Sequence, residues 1–111
     1  MTTFIKAKYS RIKSIGEIIR AYREEKGMLL RQLAALMDID SAILSKIERS
    51  EKRATKEQII KFADVLGINQ NELMIQYLSE KNAYEIADEI TAKQVLKVAE
   101  KKVEYLKKNR K

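Results

Sequence analysis

Cysteine, histidine and proline are absent from this chain of 111 residues, and glycine occurs only three times. Without cysteine there are no disulfides and no thiolate metal sites, and without histidine there is no imidazole-based catalysis. The 16 acidic side chains lie scattered over solvated helix faces, with no Gly-rich loop or clustered acidic pair to build on. An enzyme is therefore not expected, and neither a cofactor, a metal nor a small-molecule ligand is. The lack of proline and the scarcity of glycine agree with an all-α chain of short connections. No long apolar run occurs, so the start MTTFIKAKYSRIK is expected to be neither a secretory signal nor a membrane span, and no membrane partner is predicted. The expected location is cytoplasmic. The length suits one domain, with little room for a separate sensor.

What is abundant is positive charge. Twenty-three basic side chains against 16 acidic ones leave a net charge of +7, which favours a polyanion but does not separate DNA from RNA or a membrane surface. The distribution is more specific than the total. Lys6, Lys8, Arg11 and Lys13 make the first segment basic. Glu72, Glu80, Glu85, Asp88 and Glu89 make the stretch after the middle acidic, and lysines from Lys93 onward make the end basic again.

Three capping boxes mark helix starts: Ser14 with Glu17, Thr55 with Gln58, and Asn69 with Glu72. The first helix is predicted to end at Gly27 with Ile15, Ile18, Ile19 and Tyr22 inward. The helix after Thr55 presents Ile59, Ile60, Phe62, Ala63 and Leu66 and stops at Gly67. The one after Asn69 carries Leu73, Met74, Tyr77 and Leu78. A last helix from Thr91 to about Lys108 places Leu96, Ala99, Val103 and Leu106 at spacings of a short heptad seam.

Between the first two boxes, residues 26–50 read as two short helices around the break Asp38-Ile39-Asp40. Leu30, Leu33, Ala34 and Met37 form one stripe, and Leu44 and Ile47 continue it. Asp40 suits the N-cap of the second helix, its carboxylate accepting from the amide of Ala42 or Ile43. With Leu44 and Ile47 inward, helical geometry turns Ser41, Ala42, Ser45 and Lys46 outward. That face is small and polar with one cation, as a groove-reading helix requires.

These residues carry a close resemblance. IRAYREEKG at residues 19–27, QLA at 32–34, ILSKIERS at 43–50, KFADVLGI at 61–68 and NEL at 71–73 resemble the phage-repressor type of helix-turn-helix domain, the Cro and xenobiotic-response-element class. The resemblance spans about half the chain. It implies a five-helix domain whose third helix lies in the major groove of double-stranded DNA, with Ser41, Ala42 and Lys46 at base-reading positions. It also implies a partly buried ion pair between Arg23 and Glu48; the alternative is two unrelated surface charges. Two positions depart from the pattern. Leu30 stands where the family often has a phosphate-contacting Gln, so either Arg31 takes that contact or it is absent. Ser50 replaces the usual Gly after the reading helix, at a steric cost if the backbone there is left-handed.

Arg20, Arg31, Arg49, Lys52 and Arg53 are the phosphate candidates, because a docked reading helix needs backbone clamps on either side; a solvated basic surface is the plain alternative for any one of them. Lys46 suits guanine O6 or N7, and the Ala42 methyl a thymine methyl. Ile43 either completes the local core or meets a thymine methyl, with packing the preferred reading. Phe4, Ile5 and Tyr9 among the N-terminal lysines either enter a minor groove, wrap a neighbouring subunit or stay disordered. The heptad seam either folds on its own core or pairs with a partner.

The expected organisation is a basic arm over residues 1–13, a helix-turn-helix domain over 14–79 and a C-terminal helical extension over 80–111. The expected function is that of a sequence-specific transcriptional regulator, a repressor or controller on a pseudo-palindromic operator, acting as a homodimer. Lacking a sensor, it resembles restriction-modification controllers and antitoxin-type repressors. The alternatives are a protein-interaction adaptor on the same scaffold and a nonspecific nucleic-acid binder.

Overall fold

A computed structural model describes residues 13–110. The N-terminal arm up to residue 12, with Phe4, Ile5 and Tyr9, lies outside the described residues. Among those described there are six helices and no strand: α1 (Ile15–Glu25), α2 (Leu30–Met37), α3 (Ser41–Glu48), α4 (Lys56–Leu66), α5 (Gln70–Ile86) and α6 (Ala92–Asn109). None is long and apolar enough to cross a membrane. The fold is all-α. It falls into two compact units, one running to Glu80 and the other from Lys81.

Local chemistry sets the helix starts. Ser14 Oγ accepts from the Glu17 amide at 3.1 Å while Glu17 Oε1 accepts from the Ser14 amide at 2.9 Å, and Thr55 with Gln58 repeats the exchange. At the third box Asn69 Oδ1 accepts from the Glu72 amide at 3.0 Å, whereas Glu72 Oε1 is buried with no partner. Gln32 Oε1 adds a contact at the start of α2, accepting from the Leu29 amide. Asp40 does occupy the N-cap position of α3, but its side chain makes no capping bond, so the predicted carboxylate cap is not formed.

The core of the first unit gathers one stripe from each of its helices: Ile15, Ile18, Ile19 and Tyr22 of α1, Leu33, Ala34 and Met37 of α2, Leu44 and Ile47 of α3, Ile59, Phe62, Ala63 and Leu66 of α4, and Leu73 and Tyr77 of α5. Ala54 and Ile68 complete it from the loops. At about 1.5–3 kcal/mol for each large apolar side chain removed from water, this cluster is the main stabilising term. Ile43 packs partly against it, as do Leu30 and Met74.

Two predicted core members are out. Ile60 and Leu78 are each 40% exposed. With about 100° of rotation per residue, Ile60 lies about 60° beyond the edge of the arc shared by Ile59, Phe62, Ala63 and Leu66. Leu78 is likewise one step past Tyr77.

In the second unit α6 is eighteen residues long and buries none of them. Leu96, Val103 and Leu106 are each more than half exposed. Its seam is amphipathic without an intramolecular core.

Candidate nucleic-acid interface

The break between α2 and α3 is made by Asp38, whose backbone is left-handed at φ 58°. Aspartate tolerates that region better than bulkier residues do, and it lets the Ile39 amide reach back to the Ala34 carbonyl at 3.0 Å. The chain then turns into α3, which buries Leu44, Ile47 and Glu48. The opposite side carries Ser41, Ala42 and Lys46, all exposed, with Ser45 half-buried between them.

Several contacts from elsewhere in the first unit fix the position of α3. From α1, Arg23 grips Glu48 bidentately, Nε to Oε2 at 2.7 Å and Nη2 to Oε1 at 3.1 Å, and its Nη1 donates to the Met28 carbonyl at 2.8 Å. The two side chains are only 11% and 5% exposed. The hydrogen bond to Glu48 raises the Arg23 pKa above its ordinary value, outweighing the opposing pull of burial, and the charges of Glu48 and Glu24 add to the rise. Arg23 therefore keeps its charge throughout the working pH range, and its bonds tie α1, the α1–α2 turn and α3 together.

A second contact lies at the start of α1. Gly16 faces the backbone of α3 so closely that a Cβ there would collide with the carbonyl oxygens of Ile47 and Glu48; only glycine allows this approach. Beside it the Ser50 hydroxyl donates to Ser14 Oγ at 3.0 Å. Ser50 itself is left-handed at φ 62°, where the family pattern has Gly. It closes a Schellman turn, with its own amide on the Ile47 carbonyl at 3.1 Å and the Glu51 amide on the Lys46 carbonyl at 2.8 Å. The loop beyond is pinned by α5, whose Tyr77 hydroxyl donates to the Ala54 carbonyl at 2.7 Å.

The predicted phosphate candidates are distributed around this face. Arg31 is exposed in the first turn of α2, next to the half-buried Leu30. Lys52 and Arg53 are exposed in the pinned loop. Arg20 is exposed on α1 and bonds Glu24 at 3.1 Å. It shares a shallow groove with Arg49, lined also by Ser14, Glu17, Glu48 and Ser50. Arg49 makes three bonds, to both carboxylate oxygens of Glu51 at 3.0 and 3.1 Å and to Ser45 Oγ at 2.9 Å. Sequence reasoning did not single out Gly16, Tyr77 or Glu51 for these contacts. The Ser45–Arg49 pair has a readable signal, the four-residue spacing on one helix face.

Comparison with known proteins places this geometry. Residues 19–73 match the Helix-turn-helix family. The chain carries a helix-turn-helix domain of this family. The DNA-binding domain of the P22 C2 repressor superposes with a TM-score of 0.53 at 23% identity, over 58% of this chain and 84% of that one, a likeness of fold. The restriction-modification controller protein C.AhdI from Aeromonas hydrophila is 29% identical over 59% of this chain and 98% of its own, with a TM-score of 0.51. The clp gene regulator ClgR from Corynebacterium glutamicum is 28% identical over 77% of this chain and 88% of its own, with a TM-score of 0.52. No curated protein gives a significant sequence match. As a helix-turn-helix protein of this family, the chain is a DNA-binding transcription regulator.

Proposed function

We propose that this helix-turn-helix protein is a repressor or controller that binds a pseudo-palindromic operator as a homodimer and acts by occupying a promoter site. The observation that carries this reading is the fixed, outward, small-and-polar face of α3: Ser41, Ala42 and Lys46 project from a helix that Arg23, Gly16 and Ser14 hold in place. Such a face lets the backbone approach base edges, and Lys46 supplies a donor for guanine O6 or N7. Arg20, Arg31, Arg49, Lys52 and Arg53 surround it as cations for the phosphate backbone and make the affinity salt-sensitive. Residues 14–79 form the DNA-binding domain in this reading and residues 80–111 the extension. The work on DNA belongs in the cytoplasm.

The homodimer rests on a separate argument. One such module touches few base pairs, and two of them on half-sites about 34 Å apart reach the specificity a regulator needs. The exposed seam of Leu96, Ala99, Val103 and Leu106 on α6 offers the place to pair. The same exposed seam also favours a second reading, an adaptor whose α6 docks a different protein.

Selection of bound duplexes from a random pool at physiological salt, with Lys46→Ala alongside, tests the proposal. A two-fold-related consensus that relaxes at particular positions in the variant is the expected outcome. Binding common to all sequences, with no consensus, would overturn it.

A further inference from the structure

On an α-helix, Ser41, Ala42, Ser45, Lys46 and Arg49 fall within one arc of about 140° at some 100° per residue, with Arg49 near its middle. Position in the loop groups Arg49 with the phosphate clamps. Its hydrogen bonds point elsewhere. Nη1 reaches back along the helix to Ser45 Oγ at 2.9 Å, so the guanidinium lies over the outward face of α3. Nε and Nη2 are held by the two oxygens of Glu51 at 3.0 and 3.1 Å.

We infer that Arg49 is a further base-reading residue, aimed by Glu51 and Ser45 at a guanine opposite the C-terminal end of α3. The inference rests on the DNA-binding reading above and deepens it. A guanidinium has five N–H donors. Three are engaged by Glu51 and Ser45, which leaves one hydrogen on each terminal nitrogen, the two donors that a bidentate contact to guanine O6 and N7 requires. A long, exposed arginine ordinarily loses much rotamer freedom when it binds, and a side chain already fixed in place loses less. Glu51 is well mounted for that task, because the left-handed Ser50 turns the chain back and the Glu51 amide is anchored on the Lys46 carbonyl at 2.8 Å. A carboxylate beside the reading helix lowers general attraction to phosphate, so its presence there makes sense as a brace for one contact. Glu51 is a positioning residue, and Arg49 makes the contact.

The experiment selects duplexes from a random pool with the full chain and with Arg49→Ala, Arg49→Lys and Glu51→Gln. Each variant is then titrated at several salt concentrations on the selected site and on copies altered at single base pairs. The expected result is loss of preference at one base pair in each half-site for both Arg49 variants, the discrimination there falling roughly ten-fold, since lysine keeps the charge but not the planar fork. Glu51→Gln weakens the preference at that same base pair and leaves the others intact. If Arg49→Ala instead weakens all sequences equally with a salt slope smaller by about one, and Glu51→Gln tightens all equally, Arg49 is a phosphate clamp and the inference fails while the regulator reading stands. If the unaltered chain selects no consensus, both fail together.

Discussion

Helix α3 has eight residues and buries three of them, whereas α6 has eighteen and buries none. The short helix could not persist alone, since isolated helices below about 12–15 residues are marginal in water; α3 owes its existence to Leu44, Ile47 and the Arg23–Glu48 pair. The long one is rich in Lys, Glu, Ala and Leu, all good helix formers, with lysines in its last turn favouring the dipole. One helix is held by its surroundings and the other by its own sequence. The site built on α3 therefore depends on distant residues, while α6 rests on its own helix-forming sequence.

The contrast is sharpest at Glu48. Glu48→Ala leaves the Arg23 guanidinium largely buried without its carboxylate, and the first unit is expected to lose about 3–5 kcal/mol, seen as a lower denaturant midpoint. Helical signal from α6 should survive the first transition. A single transition that removes all helix at once would show that α6 is not self-supporting.

A smaller effect is expected at Ser50. Ser50→Gly removes left-handed strain of roughly 1 kcal/mol and loses one exposed hydroxyl bond, so thermal unfolding should move up by a few degrees. Ser50→Ala keeps the strain, loses the same bond and should move down. Equal shifts for the two would mean that the strain at φ 62° carries no weight.

The smallest effect on stability belongs to α6. Leu96→Asp should change the unfolding of the first unit by less than about 0.5 kcal/mol. Sedimentation should nonetheless report conversion of dimer to monomer, and a dimer that persists would move the proposed pairing surface off this seam.

The same division explains what a single sequence reveals. The Ser14 and Thr55 boxes were readable because each is complete within four residues, and the outward placement of Ser41, Ala42 and Lys46 follows from the positions of Leu44 and Ile47. Asp40 shows the limit of that logic: the right residue sits at the N-cap, yet its carboxylate caps nothing. Ile60 and Leu78 were assigned inward because an apolar residue beside a core stripe looks like part of it, and only the packing of the neighbouring helices settles the edge of the arc. Tyr77 on the Ala54 carbonyl and Gly16 against α3 leave no periodic trace, since each depends on a partner that the fold, not the local sequence, supplies; Glu51 is only two residues from Arg49, but it reaches it through the left-handed turn at Ser50, which no helical period marks. The base-reading roles of Ser41, Ala42 and Lys46 follow from the family resemblance, and the phosphate roles of Arg20, Arg31, Arg49, Lys52 and Arg53 from the clamps a docked helix needs.

One bond carries a consequence for how the protein is made. The Ile15 amide donates to Glu80 Oε1 at 2.8 Å, across a separation of 65 residues. Translation proceeds from the N-terminus at roughly 5–20 residues per second, so the start of α1 waits some 3–13 seconds after its own synthesis before the carboxylate that caps it exists. Tyr77, which pins the loop after α3, arrives only three positions earlier. Helix α3 and its loop are thus complete before the side chain that pins the loop has been synthesised. A nascent chain halted before Tyr77 has the Ser14, Gly16 and Arg23 contacts that position α3, but not the bond that pins the loop beyond it.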